Sequence, residues 1–253
     1  MTRLIAGEFC KLFSTRLWLW LLLAALSVTA LYAALDIAFA NTPGTFTFPL
    51  STPQGQRTLL AIGAGGSPLA AVLAATSLTG EYRHRTATAT FLATPHRGRV
   101  VTAKLVVSAA AGAGYALAGT ALTAAIAIPW LTTQHIHRTV GASGITATIA
   151  GVTAAVALFG LVGLGLGAVL RDQAAAVVSL LVYLLIVERI LTSISALNSW
   201  ARYLPGQAQE ALIGSTLANQ PLLQPWQGGL VLTGYAALLA VTGLLTTTRR
   251  DIT

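Results

Sequence analysis

The chain is short of nearly everything a water-facing surface is built from. Only 9% of its 253 residues are charged, and its mean hydropathy is +0.74. Soluble domains carry roughly 25% charged residues, so this chain cannot cover its exterior in water. A lipid-facing exterior removes that requirement. The single cysteine, Cys10, excludes an intrachain disulfide and any multi-cysteine metal site. The only lysines are Lys11 and Lys104, and neither follows a glycine. A phosphate-binding loop, Gly-x-x-x-x-Gly-Lys-Ser/Thr, is therefore absent, and a separate subunit must bind ATP if ATP drives this protein. The histidines, at 84, 96, 135 and 137, all precede Ser143 and fall in predicted loops. Gly141-Ala142-Ser143-Gly144 is similar to an intramembrane serine-protease motif, but it lacks the histidine base on a later span. No span holds a histidine for haem, and His135 and His137 have no carboxylate neighbours to complete a metal site. No metal site or cofactor is expected in this chain, and it is not expected to be an enzyme.

What is present is six long apolar stretches separated by short polar loops. A helix needs about 20 apolar residues to cross the hydrocarbon. The expected spans are 17–39, 59–80, 101–130, 145–170, 174–197 and 228–247. The third is over-long, which implies tilt or extension past the membrane. The fourth and fifth are joined only by Arg171-Asp172-Gln173, which forces an antiparallel hairpin. With the N-terminus in the cytosol, 11 basic residues fall inside and 4 outside. The positive-inside rule favours that orientation and puts both termini in the cytosol. The net charge of +8 thus reads as orientation rather than nucleic-acid binding. All five tryptophans (18, 20, 130, 200, 226) lie near span ends, where amphipathic rings prefer to sit. Ala38-Phe39-Ala40 resembles a signal-peptidase site, but the preceding apolar run exceeds the usual 7–15 residues. The expected fold is one all-α integral membrane domain, residues 1–253, with six transmembrane helices. Arginine far outnumbers lysine, and alanine and glycine abound, which suggests a GC-rich bacterial genome and a bacterial plasma membrane.

Before the first span, Ile5, Phe9, Leu12 and Phe13 share one helical face, with Arg3, Gly7, Lys11 and Ser14 opposite. Glu8 and Lys11 are placed to pair. A short amphipathic helix over about 3–15 is expected to lie in the membrane interface, apolar side down. The most polar stretch, 81–100, follows the second span. It opens on Glu81, Arg83 and Arg85, and closes on Arg97 and Arg99 ahead of Lys104. Pro95 stops a helix at or before Thr94. Phe91 and Leu92 are apolar residues in this polar loop, and they pack either onto the spans or into a groove on another protein.

Glu8-Phe9-Cys10-Lys11-Leu12-Phe13-Ser14-Thr15-Arg16, followed by a Trp-rich apolar run, resembles the opening of permease subunits of bacterial type-2 ATP-binding cassette exporters. Thr79-Gly80-Glu81-Tyr82-Arg83-His84, then Phe91-Leu92-Ala93-Thr94-Pro95 and Arg97-Gly98-Arg99, is similar to their first cytosolic loop. Arg85-Thr86 departs from the Gly-Thr expected there. The resemblance implies that this loop couples to a cytosolic ATPase through Glu81, Tyr82, Arg83, His84, Phe91 and Leu92. It implies a pair of ATPase subunits carrying ATP and magnesium, a second permease copy or homologue, and lipid contacts, with no nucleic acid. It implies export of a hydrophobic small molecule, peptide or lipid, and an outer re-entrant segment over 198–227.

Glu188 and Arg189 stand inside the fifth span, where a charge is costly. They either fix helix packing through ion pairs or line a route or outer gate. Gly163 and Gly167 form a Gly-x-x-x-Gly pair, read as packing within the subunit rather than a dimer seam. The alternatives to an ATP-driven permease are a proton- or ion-coupled transporter using Glu188 and Asp36, and a non-transporting scaffold or immunity protein.

Overall fold

The computed structural model describes residues 1–40, 48–83, 97–136, 141–214 and 222–249. Every regular element among them is helical. Helix α1 covers Thr2–Ser14 and α2 covers Leu17–Phe39. Helix α3, Pro53–Ala61, runs through a 3-10 turn, Ile62–Gly66, into α4, Ser67–Arg83. Then come α5, Arg97–Thr133, α6, Ala142–Leu170, and α7, Gln173–Val182. A π-turn, Tyr183–Val187, leads into α8, Glu188–Ser193. The short α9, Asn198–Ala201, and α10, Pro205–Ile213, precede the last helix, α11, Pro225–Arg249.

Five of these stretches are long and apolar enough to cross a membrane: Leu17–Phe39, Pro53–Arg83, Gly98–Thr133, Gly144–Leu170 and Gln173–Ser193. The protein is an all-α, multi-pass membrane protein. The sixth expected span, 228–247, falls within helix α11. Helix α5 has 37 residues and at 1.5 Å per residue is about 55 Å long, well beyond the roughly 30 Å hydrocarbon core. A helix of that length spans the core only if it tilts or extends past it, the two alternatives the over-long apolar run implies.

The elements start and stop where local chemistry dictates. Thr52 caps α3, its hydroxyl oxygen accepting from the Gly55 amide at 3.1 Å, with Pro53 at the first helical position. Helix α6 ends on Arg171 in the left-handed region (φ 57°), its N–H donating to the Gly167 carbonyl at 2.9 Å. The next residue, Asp172, caps α7 by accepting from the Ala175 amide at 2.7 Å. One residue ends a helix and its neighbour begins another, which makes the tight hairpin expected of 171–173.

Helix α6 is the axis of the bundle. A Cβ on Gly163 would land on the backbone of Ala71 in α4, and one on Gly167 would meet the Ala75 carbonyl oxygen at 3.0 Å. The Gly-x-x-x-Gly pair therefore faces α4 inside the same chain. Gly165 meets Leu239 of α11, and Gly160 meets Ser108 of α5. Gly243 of α11 in turn meets Ala168, and Gly112 of α5 meets Val156, so α4 and α11 run parallel to α6 and α5 runs against it. Its own Val152, Ala155, Val156 and Phe159 are all fully buried.

The two least-covered spans are Leu17–Phe39 and Gln173–Ser193, each 17% buried, against 72% for Pro53–Arg83. They present Trp20, Leu23, Leu31, Leu185, Ile186 and Ile190 outward. Such rows of large apolar side chains suit lipid or another membrane helix.

Candidate functional site

At the end of the bundle that carries α1, four charged side chains close into a ring. Lys104 Nζ donates to Glu8 Oε2 at 2.6 Å and to Glu81 Oε1 at 2.7 Å. Lys11 Nζ donates to Glu8 Oε1 at 2.7 Å and to Glu81 Oε1 at 3.0 Å. Acid and base alternate, so the ring is neutral. Its members come from α1, from the last turn of α4 and from the third turn of α5. Lys104 and both carboxylates are nearly buried, whereas Lys11 is about half exposed. Burial works against the charged form of Glu8. The ammoniums of Lys104 and Lys11 outweigh it and hold this carboxyl below its ordinary range. For Lys11, burial again opposes the charge, and bonds to Glu8 and Glu81 overcome it, raising this ammonium above its ordinary value.

The ring seats α1 on the protein. Leu12 is buried, and Ile5 and Phe9 pack against the same core cluster, which includes Val107 and Tyr115 of α5 and Leu73 of α4. This corrects the expectation of an apolar face turned down into the membrane interface. Ile5, Phe9 and Leu12 close on the bundle instead, because the Glu8 side chain that follows their face must reach Lys104. Phe13 alone of the four stays exposed, stacked on Phe9 and edge-on to Trp18. The Tyr115 hydroxyl donates to the Trp18 carbonyl at 2.7 Å and fixes the entry into α2.

Beside the ring, the Arg171 guanidinium stands 5.8 Å from the centroid of the Tyr82 ring, a cation–π contact between the 171–173 turn and α4. Of the residues expected to couple to an ATPase, Glu81 and Tyr82 therefore brace the bundle, and Arg83 is exposed at the end of α4. His84, Phe91 and Leu92 lie outside the described residues, as does the rest of 84–96. That segment leaves α4 two residues after Tyr82 and joins α5 seven residues before Lys104. Both of its anchor points are thus tied to α1, and the α4 end also to the hairpin. Spacing alone pairs Glu8 with Lys11. It does not reveal the long-range links from Lys104, because nothing local in the sequence connects residues 8, 81 and 104.

At the opposite end, Glu188 is buried and Arg189 is exposed. The two neighbours point apart, as helix geometry requires. Glu188 Oε1 accepts from the backbone amide of Gln207 at 3.0 Å, in the first turn of α10. Leu204, the N-cap residue there, supplies no side-chain cap. The carboxylate of Glu188 does so from another helix. Neither the ion pair nor the open route anticipated for Glu188 describes this contact. Asp36 is half-buried near the end of α2, on a different helix.

No protein-family model matches the chain, and no curated protein matches it. The functional reading rests on the chain's own residues.

Proposed function

We propose that this chain is the membrane permease subunit of a bacterial type-2 ATP-binding cassette exporter, driven by separate ATPase subunits. In this reading it crosses the plasma membrane six times with both termini in the cytosol, and it works beside a second permease copy or homologue. ATP and magnesium belong to the ATPase chains. The cargo class is a hydrophobic small molecule, peptide or lipid, as in drug efflux or self-resistance.

One observation carries the reading. The Glu8–Lys11–Glu81–Lys104 ring joins α1 to both helix ends that flank 84–96. A push delivered to that segment would reach α4, α5 and α1 together rather than bend one loop. Several ion pairs that share partners hold their geometry better than isolated ones. The basic residues at this end, among them Arg3, Arg16, Arg83, Arg99 and Arg171, supply the excess that orients such an end to the cytosol.

The test is cross-linking from a single cysteine at position 84 or 91 in Cys10→Ser protein. An ATPase subunit is the expected adduct. If that cysteine captures no ATPase in cells that express the chain with its partners, or if an impermeant reagent labels it from outside, the reading fails.

A further inference from the structure

We infer that Glu188 is a positioning residue that latches α10 to the fifth span. The latch is a matter of geometry and holds whatever energy source drives the protein.

Three features converge on this side chain. First, the helix it caps has no cap of its own. Pro205 occupies the first helical position, where a missing N–H costs nothing, and Leu204 leaves the following amides without a side-chain acceptor. The Glu188 carboxylate fills that place from 19 residues upstream. A charged acceptor at a helix N-terminus gains from both the hydrogen bond and the helix dipole.

Second, the approach depends on a missing Cβ. An added Cβ on Gly206 would lie 2.6 Å from Glu188 Oε1 and 2.9 Å from Oε2. The nearest atoms to that position all belong to the Glu188 carboxylate. Oε2 is buried as well, so the whole head of the side chain is sunk against the Gly206 backbone.

Third, the π-turn aims it. The amide of Glu188 itself closes the five-residue return to the Tyr183 carbonyl. In an uninterrupted α-helix each residue turns by about 100°, so a regular turn over 183–187 would carry Glu188 off α10 and toward the exposed side. The extra residue in this turn holds the carboxylate on target.

The latch matters because α7–α8 is otherwise thinly held: 17% of this span is buried. Helix α10 is firmly seated. Ala208 and Ile213 are buried in it, a Cβ on Gly228 of α11 would press on the Ala208 carbonyl, and one on Gly151 of α6 would meet the Leu212 carbonyl. Glu188 therefore ties a loosely packed span to a block made of α6, α10 and α11. Any motion that separates this span from the block at that end must first break the cap.

Hydrogen exchange on the full-length chain in lipid nanodiscs tests this. Glu188→Ala should speed exchange of the amides at 206–208 about fivefold, the size of a lost helix cap. Gly206→Ala should do the same in the parent, because its methyl displaces the carboxylate. The discriminating variant is the double, Glu188→Ala/Gly206→Ala. Once the carboxylate has been removed the clash is gone, and alanine is a better helix former than glycine. Adding Gly206→Ala to the Glu188→Ala chain should therefore slow exchange in α10. The inference is overturned if Glu188→Ala leaves those amides unchanged. It is equally overturned if Gly206→Ala speeds exchange alike with and without Glu188. Loss of protection that spreads through α6 to the same degree would also overturn it, because Glu188 would then hold the whole bundle rather than α10.

Discussion

Replacing Lys104 with methionine should release α1 from the bundle. Lys104 places one ammonium between two carboxylates, at 2.6 and 2.7 Å, with its side chain only 9% exposed. Removing one partner of a buried ion pair costs about 3–5 kcal/mol, because the other partner is left charged and dry. Lys11 still reaches both carboxylates, and that pulls the cost toward the lower end. Its own half-exposed position means that solvent screens much of what it offers. A loss of about 3 kcal/mol corresponds to a hundredfold or more in the ratio of docked to undocked α1. The apolar contacts of Ile5, Phe9 and Leu12 with the bundle remain, so α1 should open far more often yet still return to its seat. Amide exchange across residues 4–12 reads this directly. The double variant Glu8→Gln/Lys104→Met should cost less than Lys104→Met alone, since one stranded carboxylate fewer is left. If exchange in α1 stays within twofold of the parent in Lys104→Met, the ring does not hold α1 and force cannot be transmitted through it.

The pH dependence of α1 docking follows from the two shifted groups. The folded state depresses Glu8, so its contribution is complete above its ordinary 4.5 and is lost as pH falls through the lower folded value. The folded state raises Lys11, so its contribution is complete below 10.5 and is lost as pH rises through the higher folded value. Corrected for the intrinsic pH dependence of amide exchange, protection of α1 should therefore stay flat between those two ordinary values and fall only on acidification below 4.5 or in alkali above 10.5; a transition near neutrality would contradict the ring. Gly163→Ala drives a methyl into the Ala71 backbone and should cost at least the 1–3 kcal/mol typical of overpacking, visible as a lower unfolding temperature in detergent. Asp172→Ala removes the cap on α7 and should cost about 1 kcal/mol, seen as faster exchange at residues 174–176 with the rest of the bundle unchanged.

Much of this architecture is legible from the amino acids. The membrane sets one strong rule: every backbone group must be paired where there is no water. Twenty-residue apolar runs therefore become helices, and the runs at 17–39 and 145–170 coincide with α2 and most of α6. The 171–173 hairpin is readable because three residues leave the chain one way to turn. The direction in which α1 faces is not. An amphipathic pattern states that a helix has two sides, not which surface the apolar side meets. That choice is set by Lys104, 96 residues from Glu8. Glu188 shows the same limit. A carboxylate inside a span announces that it needs a partner, but the sequence suggests only an ion-pair network that fixes helix packing or a polar lining. The actual partner is the backbone at the start of α10, which no side-chain pattern advertises. The π-turn that aims it is equally silent, since Tyr183-Leu184-Leu185-Ile186-Val187 reads as ordinary helix.

The meeting of α6 with α4 has a mechanical consequence. A seam made of side chains can repack, because rotamers offer alternative fits. Where glycine lets main chain rest on main chain, there is nothing to rotate and only one way to fit. The middle of this molecule therefore behaves as a fixed mast, and whatever changes shape during its work must swing around that mast from the thinly covered rim.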